Sequence, residues 1–363
     1  MNVLHFGSYY YPDRGGNVVR MVNMLENNHC GNTLFVLTTS PSRDFDDEAY
    51  FSRTGIRIIR IESLEDAKSF LPEVVKQYNI NIVVTHIIPA NIIACSVLPK
   101  KTIIMTEIHS LITSNWIKML GKDILHRFVL NKRTSCYFVL SRGAEIYIQK
   151  HYGVKRDKTC FLPNGVTSFN AQERTPGNPD YFTFGYIGTF YQWQGTEVIL
   201  DNAEKLLSIG PNVRLYMIGG GEKEDEFKAL QKKYPGRIVA TGLIPKEEAD
   251  KLSREIDVLM IPRPSTLESN TAIPLKIFEA IQYGKPVILS DVYGLTEVLS
   301  EQEAFIYKNS SKDGLFHMCE YIYANPEEMN KRYTCAVAKI VNWPKWDEIH
   351  LRQNEVFQKY MYE

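Results

Sequence analysis

The chain has 363 residues, 44% of them apolar and 23% charged. That length exceeds one ordinary α/β core and suits two, and the balance excludes extensive disorder. Formal net charge is zero, but residues 1–165 hold 20 Lys+Arg against 14 Asp+Glu, a surplus that the remainder cancels.

A basic first half favours an anionic membrane surface or a phosphate-bearing acceptor, although uneven charge is also common without such a role. Six cysteines, Cys30, Cys95, Cys136, Cys160, Cys319 and Cys335, form no CxxC pair and no zinc-like cluster with histidine, as in buried thiols of a reducing compartment. The opening MNVLHFG is too short for a signal peptide, and no apolar run approaches about 18 residues. The expected location is the cytoplasm, with no spanning anchor.

From the first residue, short apolar runs alternate with amphipathic stretches. Val3 to Phe6, the first expected strand, leads into Pro12-Asp-Arg-Gly-Gly-Asn17 and a helical pattern from Asn17 to Leu25. Gly15 and Gly16 would let backbone amides meet an anion at a helix N-terminus; the plainer reading is a tight turn needing positive φ. A second strand, Thr33 to Leu37, precedes Asp44-Phe-Asp46, a DxD triplet that suits a divalent ion but sits in a run of acids, where a solvated loop is the simpler account.

Further strands are expected at Ile56 to Ile61, Ile80 to Thr85, Thr102 to Thr106 and Cys136 to Leu140, with a helix at Leu64 to Tyr78. His109 closes the segment Thr106-Glu-Ile-His-Ser110, and Glu107 beside it suits a buried salt bridge better than an acceptor contact. Asn115 to Arg133 mixes Trp116, Leu120, Ile124 and Phe128 with Lys118, Lys122, Arg127, Lys132 and Arg133. It reads either as a helix packed on its sheet with snorkelling bases or as an interfacial helix.

Residues 166–180 are rich in Pro, Gly, Asn and Thr, as in a linker. A second β/α series then follows at Phe182 to Ile187, Val213 to Ile218, Arg237 to Thr241, Val258 to Ile261, Pro286 to Leu289 and Ala304 to Tyr307. Repeated β-then-α implies parallel, doubly wound sheets. No GxGxxG fingerprint follows the first strand and no GxxxxGK[ST] loop occurs, which removes most support for dinucleotide and P-loop chemistry.

The segment from Ile273 to Ile288, IPLKIFEAIQYGKPVI, predicts a helix with Pro274 in its first turn, ending at Gly284 before a buried strand. On that helix Glu279 could accept hydrogen bonds from the vicinal hydroxyls of a ribose. Lys276, one turn earlier on the same side, could meet a phosphate.

PLKIFEAIQYGKPVI, with FLPNGV, FGYIGTFYQWQG, VRLYMIGGG, TGLIP and IDVLMIPRP in this order and spacing, resembles the GT4 family of retaining glycosyltransferases, within glycosyl transferases group 1. GSYYYPDRGG, TEIHS and VNWPKWDEI fit the same family, so the resemblance spans essentially the whole chain. It implies the GT-B fold: two Rossmann-like, doubly wound parallel-sheet lobes facing a cleft, with a C-terminal helix returning to the first. The lobes would be residues 1–165 and 181–342, joined by the linker 166–180 and followed by the helix 343–363.

By the same resemblance, Glu279 is the second acid of a paired-glutamate motif and holds the donor ribose. Thr271 stands eight residues earlier, where the first acid is expected, a departure that bears on the transferred sugar. A second departure is the loop Gly188-Thr-Phe-Tyr-Gln-Trp-Gln-Gly195, which has no cation where many relatives place two beside the diphosphate. Candidate replacements are the amides of Gly188, Thr189 and Phe190, the helix N-terminus after Gly195, Arg263 and Lys276.

Gly219 and Gly220 would flank the nucleotide base, and Leu243 and Ile244 would close over it. His109 matches the active-site histidine, so His109 and Glu279 are the catalytic candidates. The donor-binding set is Gly15, Gly16, Gly188, Thr189, Gly195, Gly219, Gly220, Leu243, Ile244, Arg263, Thr271, Lys276 and Glu279. Neither a metal nor a cofactor is expected. The implied activity is sugar transfer from a nucleotide-sugar to a glycan or lipid-linked glycan, in bacterial surface polysaccharide synthesis such as O-antigen or capsule. Peripheral contact with an anionic inner membrane fits, and no nucleic acid is expected as a partner. The alternatives are a nucleotide-sugar epimerase of GT-B fold and an inactive sugar-binding protein of that fold.

Overall fold

The computed structural model describes residues 1–363 apart from 14, 110, 112–115, 168–172 and 363, and only the backbone of 116–118. The chain divides into two units, Met1–Thr167 with Pro344–Glu363, and Ser168–Trp343.

The first unit is built on β1 (Asn2–Gly7), β2 (Thr33–Thr38), β3 (Arg57–Arg60), β4 (Ile82–Thr85), β5 (Ile103–Ile108), β6 (Thr134–Val139) and β7 (Thr159–Phe161). They form one sheet in the order β3-β2-β1-β4-β5-β6-β7, every neighbouring pair parallel. Their apolar runs are buried because helices cover the sheet: Leu4, Phe6, Val83 and Ile104 pack with Leu71, Val74, Ala90 and Ala94 in one core.

The second unit repeats the plan with β8 (Phe182–Ile187), β9 (Val213–Ile218), β10 (Ile238–Ala240), β11 (Val258–Ile261), β12 (Val287–Ser290) and β13 (Phe305–Tyr307). The order is β10-β9-β8-β11-β12-β13, again parallel throughout. In each sheet the winding direction reverses once, between β1 and β4 and between β8 and β11. Connections leave the central strands in opposite directions at such a point, which opens a crevice beyond the strand ends.

Four details differ from the sequence reading. β7 lies outside the expected strands, being only three residues bounded by Lys158 and Leu162-Pro163. The helix expected from Asn115 starts among residues outside the described set; from Trp116 it runs to Leu125, then widens into a π-helical turn at His126–Leu130. Asp46 is an N-cap, its carboxylate accepting from the amides of Glu48 and Ala49, so the DxD triplet runs into a helix start where a solvated loop is expected. Pro274 precedes the helix Lys276–Gln282 instead of lying in its first turn, while Gly284 takes the left-handed conformation just past its end.

The last helix, Trp346–Tyr362, belongs to the first unit. Gly165 has no side chain where Trp346 lies: a Cβ there would stand 2.7 Å from the indole. Asn354 accepts from Asn32 at 2.9 Å, and Phe357 meets Phe138 edge-on.

Candidate functional site

Each unit carries a pocket at its own switch point. In the first, His5 lies on β1, His86 follows β4 and His109 follows β5, three adjacent strands. Their imidazoles form a chain: His5 Nδ1 to His86 Nε2 at 2.9 Å, then His86 Nδ1 to His109 Nε2 at 3.0 Å. His109 Nε2 also lies 3.0 Å from Glu107 Oε1.

Glu107 is held in turn by Arg20 of the helix Gly16–Glu26, whose Nε donates to Oε1 at 2.9 Å and Nη2 to Oε2 at 3.3 Å. The guanidinium also donates to the carbonyls of Leu162 and Pro163 and to Asn164 Oδ1. Both side chains are buried, so removing one partner would strand the other's charge at a cost of about 3–5 kcal/mol. Burial alone would raise the Glu107 pKa, but Arg20 and His109 outweigh it and hold the carboxyl well below its usual range. Burial pushes His109 down to about 4 against the pull of Glu107, so the ring is neutral at pH 7.

His86, Glu107 and His109 face a cavity of about 460 Å³ shared with Tyr9, Asn17 and Lys122. Among the described residues this trio has ligand atoms close enough together for a metal, all within 4.8 Å of one another. Those atoms are already engaged with each other and with Arg20, which makes the trio a hydrogen-bonded cluster as it stands. The Glu107 salt bridge is the one expected from the sequence, whereas nothing in the sequence alone points to His5 or His86. The available signal is a histidine inside one apolar run and just past two others, which matters only once those runs are known to be neighbours.

In the second unit, Lys276 and Glu279 of the helix Lys276–Gln282 line a smaller pocket with Ile187, Leu259, Met260 and Tyr283. The Glu279 side chain is exposed by surface area, yet the surrounding protein raises its pKa through desolvation, against the pull of Lys276 and Lys246. Lys276 Nζ donates to Tyr186 Oη at 2.6 Å, and that hydroxyl donates to the Thr189 carbonyl at 2.8 Å. Burial, with Arg263 adding to it, lowers Lys276 to about 7.

Arg263 follows β11 and is buried beneath the Trp193 ring, 5.0 Å from its centroid. One Nη donates to the Ala272 carbonyl at 3.1 Å, while Nε is buried without a hydrogen-bond partner among the described residues. Burial lowers Arg263 to about 10, so it stays charged at neutral pH. Two basic side chains thus stand beside the cation-free loop, Arg263 from the end of β11 and Lys276 from the helix.

Loop geometry explains why glycines surround them. A Cβ on Gly188 would lie 2.5 Å from Lys276 Nζ, at a φ of +129°. A Cβ on Gly195 would lie 1.8 Å from the Pro262 carbonyl oxygen, at a φ of +77°. Gly219 backs onto Gly188, and Gly220 lies against Leu243, which is 81% exposed beside the half-buried Ile244. The amides of Gly188 and Phe190, offered above as diphosphate donors, are already engaged with the carbonyls of Ile218 and Gly220. The Thr271 hydroxyl donates to the Leu267 carbonyl at 2.7 Å.

Gly15 and Gly16 sit at the N-terminus beside the first pocket. Neither has positive φ, and a Cβ on either would meet no atom of the described residues within 4 Å. The tight-turn explanation for this pair therefore fails.

Residues 168–337 match the family model for glycosyl transferases group 1. O-antigen chain mannosyltransferase C of Escherichia coli is 21% identical over 356 residues, covering 91% of each chain. The glycogen synthase of Clostridium beijerinckii is 25% identical over 170 residues, 44% of this chain and 34% of that one. Among solved structures, a glycosyltransferase from Rickettsia africae superposes with a TM-score of 0.77 at 13% identity, over 100% of this chain and 99% of that one. The Anabaena protein HepE in complex with UDP gives 0.76 at 13%, over 99% and 100%. The two parallel sheets, the group 1 match confined to the second unit and the near full-length mannosyltransferase relative agree: the chain is a glycosyltransferase of GT-B fold whose second unit carries a domain similar to glycosyl transferases group 1.

Proposed function

We propose that this enzyme transfers a sugar from a nucleotide-sugar to a glycan or lipid-linked glycan, with retention of anomeric configuration and without a metal, as a GT4 member serving surface polysaccharide synthesis. The observation that carries the reading is Glu279 beside Lys276 at the switch point of the second sheet, with Arg263 close behind. The carboxylate accepts from the ribose hydroxyls. Cleaving the sugar–phosphate bond puts negative charge on the departing diphosphate, and Lys276 and Arg263 meet it with charge-assisted bonds worth about 1.5–3 kcal/mol each. Support for the donor class comes from HepE, solved with UDP and with UDP-glucose, and for the product class from the O-antigen mannosyltransferase.

Thermal-shift measurements with UDP-glucose, GDP-mannose, ADP-glucose and TDP-glucose test the reading, since selective binding stabilises the folded state. One nucleotide class should raise Tm, and Glu279→Ala should abolish the rise and lower transfer about 10- to 100-fold. Unchanged kinetics in that variant would remove the assignment.

Membrane contact belongs to the same proposal. Leu120, Ile124, Phe128 and Val129 are exposed on consecutive turns of the segment ending in Lys132 and Arg133, an apolar stripe with basic neighbours. No helix among the described residues is long and apolar enough to cross a membrane. Flotation with phosphatidylglycerol vesicles should recover the protein at low salt; recovery equal to that with neutral vesicles would dismiss the contact.

A further inference from the structure

The cluster around His109 has one consistent assignment of protons. Arg20 places donors on both oxygens of Glu107, so the carboxylate is ionised and acts only as an acceptor. The proton in the 3.0 Å contact between Glu107 Oε1 and His109 Nε2 therefore lies on the histidine. The opposite assignment would set a bare nitrogen lone pair against a carboxylate oxygen. That one Nε2–H is shared between Glu107 Oε1 and His86 Nδ1, each at 3.0 Å, so His86 Nδ1 accepts and the His86 proton lies on Nε2, donating to His5 Nδ1 at 2.9 Å.

The other nitrogen of His109, Nδ1, is buried and has no hydrogen-bond partner among the described residues, on a ring that lines the 460 Å³ cavity. Polar atoms so placed are rarely left unmatched. Its neighbours in the cavity wall are Tyr9, whose ring stands edge-on at 5.7 Å, and Asn17 and Lys122.

We infer that Arg20 and Glu107 are positioning residues that lock His109 in the Nε2–H tautomer, so that Nδ1 presents a fixed acceptor to a hydroxyl of a sugar bound in this pocket. The ligand class rests on the proposed function; the tautomer does not. A sugar hydroxyl supplies the missing donor, whereas a phosphate or carboxylate oxygen at Nδ1 would face lone pair to lone pair. The arrangement selects a polyhydroxy group over an anion at this position.

Histidine-selective ¹⁵N labelling and long-range ¹H–¹⁵N correlation test this on the full chain, with His109 identified by the signal lost in His109→Gln. At pH 7 the ring should show a protonated Nε2 and a bare Nδ1. A proton on Nδ1, or a metal bound at Nε2, overturns the inference whatever the enzyme's activity. Of the four nucleotide-sugars named above, the one that stabilises the protein should move the Nδ1 signal upfield as a hydroxyl donates to it; no movement overturns the ligand half.

Glu107→Gln, checked for folding by its melting curve, should redistribute the tautomer and lower kcat about tenfold or more, with the KM for donor changed less. An unaltered tautomer and kcat in a folded variant overturns the positioning role. Should Glu107→Gln not fold, the wild-type spectrum decides alone. A correct tautomer in a protein that transfers no sugar would instead count against the proposed function.

Discussion

At the scale of single residues, Lys276 links binding to pH. Burial holds its amine at about 7, well below an ordinary lysine, so folding and donor binding respond to pH in opposite directions. Between pH 7 and the ordinary lysine range, the unfolded chain holds a proton that the folded chain lacks, and the stability due to this group rises with pH. A bound diphosphate restores the charge, so binding above pH 7 takes up a proton. Donor affinity should fall by up to about tenfold per pH unit as pH climbs through 7, until the pKa of the complex is reached. Calorimetry at pH 8 in buffers of different ionisation heat measures that uptake directly. Lys276→Met should abolish the uptake and weaken binding, yet melt higher than wild type at pH 6, because it removes a desolvated charge. Binding at pH 8 without proton uptake would mean that the amine does not meet the phosphates.

At the scale of elements, the two glycine-rich turns make contrasting demands. Gly195 is forced by its backbone: positive φ and a carbonyl at 1.8 Å leave no place for a methyl, and Gly195→Ala should cost at least about 1–3 kcal/mol in strain. Gly16 opens a helix with no described atom within 4 Å of an added Cβ, and Gly16→Ala should leave Tm unchanged or slightly higher, since alanine suits helices better by roughly 0.5–1 kcal/mol. Transfer should nonetheless fall at least tenfold if ligand occupies that space; equal activity would return Gly16 to a bystander.

The sequence shows where such turns lie, because strand, turn and helix are local: the six strands expected in the second unit match β8 to β13 in place and order. Lys276 and Glu279 were legible for the same reason, three residues apart on one helix. The chain from Arg20 to His5 was not, since its links join residues 81 and 87 apart and exist only once β1, β4 and β5 are neighbours. Arg263 fell between these cases. Its position after a strand was visible, but nothing local tells that Trp193 covers it and that it lies near Lys276.

At the scale of the whole molecule, the chain completes its first unit last. The helix Trp346–Tyr362 buries Trp346, Ile349 and Phe357, packs along Gly16–Glu26 and reaches β6 through Phe357 and the bond from Tyr360 to the Ser135 carbonyl. Arg20 lies 6.0 Å from the centroid of the Trp346 ring, so the tail also borders the cation that fixes Glu107. Phe357→Ala should therefore cost about 3–5 kcal/mol, as for other large core truncations. A chain ended after Trp343 exposes the apolar face of the helix that carries Gly16 and Arg20. Hydrogen exchange on that shortened chain should show lost protection in Met1–Thr167 and wild-type protection in Ser168–Trp343, because the second unit keeps every strand and its own core. It should keep nucleotide binding at Glu279 while losing transfer, separating the two pockets by a cut that touches neither. Unchanged protection in the first unit would show that its sheet is stable without the returning helix, and the network around His109 would then owe nothing to the chain's last residues.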